Sequence, residues 1–313
     1  MIAVLCGGVG AARFLAGLVG VVDPAEVVAI VNTGDDTELH GLSISPDLDT
    51  ITYTLSGRVN PETGWGLAGD EFSTMDALDA LGGSTWFRLG NLDLATHLYR
   101  TGRLRQGATV TEVTAELARA FGLRLTLLPM SNEPVRTLLE LVDGGTVGFQ
   151  DYFVRLRHAV AVRAVRWPAA AAALPAPGVI EALTGARIII IAPSNPVVSI
   201  DPILAVPGIR EALRSRRERV VAISPIVAGA ALKGPADRLL TELGGSATAA
   251  GVAAWLADVV GVLVVDEADA DHAADVEAHG MTCVVTPTVM SDAEVAAGLA
   301  RTVLAAGGLT ELA

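Results

Sequence analysis

Basic residues are scarce in this chain, and lysine is nearly absent. Of the 22 basic residues among 313, Lys233 is the one lysine, against 35 acidic residues, and the net charge is −13. A protein that binds nucleic acid by neutralising phosphates needs a basic surface, so the composition excludes that class of partner. Disorder is excluded too, because 51% of the residues are apolar and only 18% are charged.

Cysteines and long apolar runs are also few. Cys6 and Cys283 are the two cysteines; they have no metal-ligand spacing, and free thiols in buried strands are expected. The long uncharged, mostly apolar run Trp167 to Ile180 is interrupted by three prolines, and no stretch is long and apolar enough to span a bilayer. The apolar first 22 residues lack the basic start of a signal peptide. These features predict a cytoplasmic protein with no membrane partner.

Short Val/Ile runs alternate with helical patterns towards both ends of the chain. The predicted strands are Ile2–Leu5, Val27–Val31, Arg187–Ile191, Val220–Ser224, Val262–Val265 and Cys283–Thr286. Continuous apolar strands that alternate with helices are typical of a parallel sheet covered on both faces. The sequence therefore predicts an α/β fold with a doubly wound parallel sheet.

The middle of the chain has a different pattern. Helices are predicted at Glu71–Leu81, Asp93–Thr101 and Thr111–Phe121, and strands at Leu125–Met130, Arg136–Val142 and Thr146–Phe149. We expect residues 1–60 and 170–313 to form a nucleotide-binding core, and residues 61–169 to form a smaller, mostly helical insertion that covers it as a lid.

A glycine-rich turn follows the first predicted strand, with Gly7, Gly8 and Gly10 before Arg13. Glycines let the backbone approach a ligand closely, and the next helix offers free amides to a phosphate. Arg13 stands where a dinucleotide fingerprint has its last glycine, which argues against a dinucleotide site. Phosphate or nucleotide binding is favoured over an empty turn, because ligands of doubly wound sheets bind at such turns.

Four carboxylates follow the second strand closely. Residues 32–36 are Asn-Thr-Gly-Asp-Asp, and residues 45–50 are Ser-Pro-Asp-Leu-Asp-Thr. Acidic pairs in loops are often solvated or cap helices, and Asp47 could be such a cap. Near a phosphate loop they suggest a divalent cation instead. Asp35 and Asp49 are the preferred ligands or bases.

These segments belong to an ordered set of motifs that spans most of the chain. The others are His40-Gly41, Leu94-Ala95-Thr96-His97, Ala192-Pro193-Ser194-Asn195-Pro196 with Ser199-Ile200, Ser224-Pro225-Ile226, and Leu232-Lys233-Gly234-Pro235-Ala236-Asp237. In this order they resemble the 2-phospho-L-lactate transferase family, called CofD, or FbiA in some bacteria. No single motif is decisive, but the ordered set is specific.

The resemblance implies a step in the biosynthesis of coenzyme F-420. Family members take the deazaflavin FO and a guanosine diphosphate ester of phospholactate or, in many bacteria, phosphoenolpyruvate. The ribityl hydroxyl of FO attacks the phosphorus that bears the three-carbon acid, and GMP leaves. The resemblance also implies Mg²⁺, a Rossmann-like fold with a smaller insertion, and a homodimer.

On this resemblance, Asp49 and Arg88 contact FO. Asp35, Asp47 and Asp49 are predicted to hold Mg²⁺ because carboxylates near a phosphate site suit a divalent cation. A carboxylate beside the attacking hydroxyl can also take its proton, and Asp49 is the candidate. The chain departs from the family just after Arg88: residues 90–93 are Gly-Asn-Leu-Asp, where the family usually has Gly-Asp-Arg-Asp. One acid and one arginine of the family pattern are missing there, which weakens the assignment of an FO-binding site to this segment by resemblance.

Five further residues are predicted to bind substrate: Arg13, Asn32, Ser194, Asn195 and Lys233. Asn195 follows a predicted strand and could contact guanine or ribose, but Asn before Pro also forms turns. Lys233 could contact phosphate or be a solvated surface charge.

Two other classes of protein are less compatible with the sequence. A non-catalytic nucleotide or sugar-nucleotide binding regulator of the YvcK type shares the glycine loop, but we do not expect it to have the 45–50 segment. An NAD oxidoreductase needs the third glycine and a lone ribose-binding acid. No residue decides between phospholactate and phosphoenolpyruvate; the Ala-, Gly- and Arg-rich composition, typical of a GC-rich bacterium, favours phosphoenolpyruvate by association only.

Overall fold

The computed structural model describes residues 1–309, which form a Rossmann-like α/β fold around a seven-stranded parallel sheet. The strands are β1 Ile2–Cys6, β2 Val27–Val31, β3 Thr37–Leu39, β4 Leu42–Ile44, β5 Thr126–Pro129, β6 Leu138–Leu141, β7 Thr146–Gly148, β8 Val162–Arg166, β9 Ile188–Ile191, β10 Val220–Ile223, β11 Ile226–Val227, β12 Ala230–Ala231, β13 Val262–Val265 and β14 Thr282–Val285. The order in the large sheet is β14-β13-β10-β9-β1-β2-β5. The order reverses beside β1, which is where such sheets bind ligands.

Helices cover both faces of this sheet. They are α1 Gly8–Val19, α2 Pro46–Leu55, α3 Ser73–Ala80, α4 Asn91–Arg105, α5 Val110–Ala120, α6 Val179–Gly185, α7 Asp201–Ala205, α8 Ile209–Arg214, α9 Ala236–Glu242, α10 Ala249–Leu256, α11 Ala273–Glu277 and α12 Ala293–Ala306. Short 3-10 turns occupy Pro24–Glu26, Ala170–Ala172, Arg217–Arg219 and Glu267–His272, and π-helical turns occupy Asp151–Arg155 and Pro196–Ile200. No helix among residues 1–309 has both the length and the apolarity needed to cross a membrane.

Alternation along β1 divides the core into two clusters. Ile2, Val4 and Cys6 face the side that carries α1 and α12, whereas Ala3 and Leu5 face the side of α6 to α11. Both faces of a strand are thus apolar, as expected for a parallel sheet enclosed by helices. The thiol of Cys6 is fully buried, whereas Cys283 is only half-buried in the edge strand β14.

The segment 61–169 does not lie wholly outside the core. Its strand β5 pairs in parallel with β2 and forms one edge of the large sheet. The antiparallel sheet β7-β6-β8 also comes from this segment, and its apolar side chains belong to the core cluster of one sheet face. The expected strand Leu125–Met130 was therefore found, but as a core strand rather than part of a lid, because Leu127 and Leu128 are as apolar as the other core strands.

Helices α1 and α12 pack with their backbones in close approach at Gly17. A Cβ atom at Gly17 would lie 2.5 Å from the backbone of Ala296, whereas a Cβ at Gly298, in the middle of α12, would meet nothing within 4 Å. The packing therefore requires a glycine at Gly17 but not at Gly298.

We predict that Gly17→Ala lowers the free energy of unfolding by about 1–3 kcal/mol through overpacking. The matched variant Gly298→Ala is expected to raise it by roughly 0.5–1 kcal/mol, since Ala is favoured over Gly inside a helix. Urea unfolding of both variants checks this, and equal midpoints for the two would contradict the packing described.

Candidate functional site

The glycine loop lies at the carboxyl end of β1, against the loop that follows the neighbouring strand β9. The Gly7 N–H donates to Ser194 Oγ at 3.2 Å, and a Cβ at Gly10 would collide with the Pro193 carbonyl oxygen. Gly8 has a φ of +75°, which a glycine adopts readily. The structure therefore brings together Gly7, Gly8, Gly10 and Ser194, four residues predicted to bind substrate.

Asn195 has a structural role in the same loop. Its Oδ1 accepts hydrogen bonds from the backbone N–H groups of Val197 at 3.0 Å and Val198 at 3.4 Å, so it caps the π-helical turn Pro196–Ile200. The turn-forming alternative noted for Asn195 is thus observed, and its oxygen is engaged by the protein.

Two cations flank the glycine loop. Lys233 Nζ donates to the Thr63 carbonyl oxygen at 3.2 Å. Burial, and then the nearby charge of Arg13, lower the pKa of Lys233. Gly64 packs against Val9, with its hypothetical Cβ 3.2 Å from Val9 Cγ1. The loop 60–66 therefore lies directly against the glycine loop.

Behind the glycine loop lies a group of acids at the end of β2, which we call the acidic cluster: Asp35, Asp36 and Asp47. Asn32 Nδ2 donates to Asp47 Oδ2 at 2.9 Å, and Ser45 Oγ donates to Asp36 Oδ2 at 2.8 Å. Ser45 occupies the N-cap position of α2, so Asp47 lies inside the first turn and is not the cap.

Asn32 is engaged at both ends of its amide. Its Oδ1 accepts from the Gly34 N–H at 2.8 Å, and its Nδ2 contacts Asp47 and the Val198 carbonyl. Asn32 is fully buried. Asn32 was predicted to bind substrate, and in the structure it orients the acidic cluster.

The acidic cluster holds more negative charge than the surrounding protein compensates. Asp35 Oδ1, Asp36 Oδ1 and Thr33 Oγ1 are buried without a hydrogen-bond partner among residues 1–309. Burial raises the pKa of Asp36 to about 8 and that of Asp47 to about 6. Burial, then the charge of Asp47, raises the pKa of Asp35. Buried carboxylates in this condition need a proton or a cation.

Asp49 belongs to a different group. Both of its oxygens contact the guanidinium of buried Arg100; the Nη1–Oδ2 distance is 3.1 Å, and Nη2 contacts Oδ1 closely. The structure thus divides the predicted set Asp35, Asp47 and Asp49: the first two interact with each other, whereas Asp49 is paired with an arginine.

Arg100 is one member of a buried side-chain network that also includes Tyr53, Asp93 and His97. The Tyr53 hydroxyl donates to Asp93 Oδ1 at 2.6 Å, and His97 Nε2 lies 3.3 Å from Asp93 Oδ2. His97 Nδ1 lies 3.2 Å from Arg100 Nη1. Among residues 1–309, one group of three potential metal-ligating side chains has all its ligand atoms within 4.8 Å of one another: Asp49, Asp93 and His97.

The sequence interpretation missed Tyr53, Asp93 and Arg100 as members of the site. A signal was present: Asp93, His97 and Arg100 recur at spacings of four and three on α4, which places them on one helix face. Nothing in the local pattern indicates that this face meets Asp49.

Arg88 lies at the surface of the insertion. Its Nη2 pairs with Asp76 Oδ1 at 2.6 Å, and its guanidinium lies 4.9 Å from the Phe72 ring centroid. Nearby, Asn91 Nδ2 donates to Ser73 Oγ at 2.8 Å. The side chain that replaces the usual family aspartate therefore fastens α4 to α3.

The fold and the site place the protein among Rossmann-like α/β proteins with a glycine loop at the carboxyl edge of the sheet. Within that class, the chain belongs to the 2-phospho-L-lactate transferase CofD family, whose model matches residues 2–297.

Relatives of similar length are named for one of two transferred groups, phosphoenolpyruvate or 2-phospho-L-lactate. The phosphoenolpyruvate transferase of Kitasatospora aureofaciens is 45% identical over 97% of both chains. That of Mycolicibacterium smegmatis is 39% identical over 99% of both. The 2-phospho-L-lactate transferase of Methanosarcina mazei is 36% identical over 97% of this chain and 99% of its own.

A solved structure shares the fold. A UPF0052 family member from Bacillus halodurans superposes with a TM-score of 0.64 at 20% identity, over 97% of this chain and 98% of that one. At this identity the likeness concerns the architecture alone.

We predict that Asn32→Ala lowers the free energy of unfolding by about 2–3 kcal/mol, because it leaves a buried carboxylate without its donor. Asn60→Ala is the matched control, since Asn60 makes a local loop bond to the Glu62 N–H. Urea unfolding of metal-free protein measures both. A loss at Asn32 no larger than that at Asn60 would show that the amide does not support Asp47.

Proposed function

We propose that this protein transfers a phosphoenolpyruvyl group from a guanosine diphosphate ester to the ribityl hydroxyl of the deazaflavin FO, with release of GMP. Family membership supports a transferase of this kind. The relatives that are 39–45% identical are named phosphoenolpyruvate transferases, and the one named for phospholactate is 36% identical. This ordering favours phosphoenolpyruvate over phospholactate as the transferred group.

The observation that carries the proposal is the contact between the glycine loop and the acidic cluster. A Cβ at Gly7 would lie 2.5 Å from Asp47 Oδ2, so a phosphate bound at the loop would meet these carboxylates. A phosphate and these carboxylates repel each other, and a bound cation would supply the positive charge that offsets this repulsion. The unpartnered oxygen of Asp35 fits Mg²⁺, which prefers oxygen ligands.

In this proposal Asp35 and Asp47 hold Mg²⁺. When bound, Mg²⁺ neutralises charge on the phosphoryl oxygens of the ester. The glycine loop, with Arg13 and Lys233 beside it, binds the guanylyl diphosphate through backbone amides and two cations. These groups set the phosphorus in position for in-line attack.

The chemical step forms one bond and breaks another. The FO hydroxyl oxygen bonds to the phosphorus that bears the three-carbon acid, and the bond from that phosphorus to the bridging oxygen breaks, so GMP leaves with that oxygen. The hydroxyl proton passes to a carboxylate of the acidic cluster. Asp36 Oδ1, which has no partner in the protein, is the acceptor we assign.

This assignment modifies the role expected for Asp49. Because Arg100 engages both of its oxygens, Asp49 orients the acceptor hydroxyl through a remaining lone pair rather than taking its proton. Loop 60–66 and the insertion around Arg88 supply the deazaflavin side of the site. A homodimer, implied by the family resemblance, and a cytoplasmic location, favoured by the sequence features described above, complete the proposal.

The direct test is turnover of purified protein with Mg²⁺, FO and the two guanylyl esters in competition. GMP and the phosphodiester products are separated by mass spectrometry, with the phosphoenolpyruvyl product expected to dominate. Asp35→Asn and Asp47→Asn are expected to lose about 100-fold or more in kcat. No GMP from either ester would exclude the transferase.

We further predict that Lys233→Met raises KM for the guanylyl ester by about tenfold, because a charge-assisted contact to phosphate is lost. KM for FO is expected to change less, since the contact of Lys233 with loop 60–66 is a single bond to the Thr63 carbonyl oxygen. Arg124→Met is the control, since Arg124 pairs with Asp23 at the surface, before the amino ends of β5 and β2. Equal KM values for wild type and Lys233→Met would remove Lys233 from the site.

A further inference from the structure

We propose that Arg100 is a positioning residue that keeps Asp49 out of the coordination sphere of the cation, so that the cation binds to the acidic cluster alone. The inference rests on the cation site of the proposed function and assigns a role to a residue that no sequence motif singled out. It predicts which of the buried carboxylates at this edge contribute to metal binding.

Geometry is the first reason. Asp49 and Arg100 are 6% and 3% exposed, respectively, and the guanidinium meets both carboxylate oxygens. Arg100 Nη1 also lies 3.4 Å from the Ser43 carbonyl oxygen, which fixes the guanidinium from a third side. A planar guanidinium matched to a carboxylate holds it in one orientation.

Charge balance is the second reason. Asp49 and Arg100 together are neutral, whereas Asp35, Asp36 and Asp47 have no basic side chain bonded to them among the described residues. A divalent cation is attracted by the second group and gains little from the first. For the same reason, the grouping of Asp49 with Asp93 and His97 does not favour a metal, since Arg100 already lies within it.

The network behind Arg100 supports this arrangement. Arg100 Nη1 lies 3.2 Å from His97 Nδ1, and His97 Nε2 lies 3.3 Å from Asp93 Oδ2. Asp93 in turn accepts from Tyr53. Arg100 therefore lies between Asp49 on one side and His97 on the other.

The test is the affinity for Mn²⁺, a probe for Mg²⁺ sites, measured by calorimetry and EPR on the metal-free full-length chain. Asp49→Asn alone is expected to weaken binding about tenfold, because Arg100 is left unpaired beside the cation. Arg100→Met alone is expected to tighten it about tenfold, because Asp49 is released. The double variant Asp49→Asn/Arg100→Met is expected to bind within about threefold of wild type, with one ion per chain.

The double variant separates the two roles of Asp49. If Asp49 were a metal ligand, the double variant would lose Mn²⁺ affinity about as Asp47→Asn does, and the inference would be overturned. Two Mn²⁺ ions per wild-type chain would overturn it too, since Asp49, Asp93 and His97 would then hold a metal despite Arg100.

Two controls keep the result interpretable. Removal of both partners of a buried ion pair is often tolerated; if the methionine variant does not fold, Asp49→Asn/Arg100→Gln takes its place. Arg103→Met/Glu116→Gln removes a similar two-contact pair on the outer side of α4 and is expected to leave Mn²⁺ affinity unchanged.

A kinetic measurement tests the positioning role itself. Arg100→Lys is expected to raise KM for FO about tenfold and leave KM for the guanylyl ester unchanged; equal changes in both would contradict it. If the wild type binds Mn²⁺ but transfers no group, the proposed function fails and the Mn²⁺ series still decides this inference. If the wild type binds no Mn²⁺, the cation site and the inference both fail.

Discussion

Buried negative charge at the carboxyl edge of the sheet is the constraint on which the site depends. Asp35, Asp47 and Asp49 are at most 6% exposed, and each isolated charge there carries a large desolvation cost. The protein meets this cost in two ways. Asp49 receives an internal counter-charge from Arg100, whereas the acidic cluster retains oxygens with no partner. The second arrangement requires a proton or a bound cation to compensate the buried charge.

The close packing of the glycine loop creates this concentration of charge. Gly7 and Gly10 leave no room for a Cβ beside Asp47 and Pro193, so the end of β1, the start of α2 and the loop after β9 come together at one place. A side chain at either position would push the loop backbone away from Asp47 or from the loop after β9. The acidity of the protein as a whole, at −13, matters less than these few buried acids.

The sequence predicted the architecture well because buried parallel strands have a strong local signature. Val27–Val31 and Val262–Val265 were predicted to the residue. β5 was assigned to the insertion because its neighbours along the chain are helical, and local pattern does not reveal which strand a segment pairs with. The residues of the candidate site were likewise predicted only in part. The glycine loop and the aspartates were found from local motifs, but Arg100 was not, since it lies 51 residues from the carboxylate it pairs with.

The two groups of acids suit different tasks because their environments differ. A carboxylate held by a guanidinium is fixed in one orientation and accepts hydrogen bonds, which suits the orientation of a hydroxyl. The half-buried carboxylate of Asp36 has a free oxygen, and burial raises its pKa to about 8, so its ionised form has a high affinity for a proton. Arg100 and Asp49 each influence that pKa through their charges, so the two groups are electrostatic neighbours. An acceptor hydroxyl between them would meet a fixed hydrogen-bond acceptor on one side and a proton acceptor on the other. This asymmetry arises from a single arginine, because among the described residues Arg100 pairs with Asp49 and not with the acidic cluster.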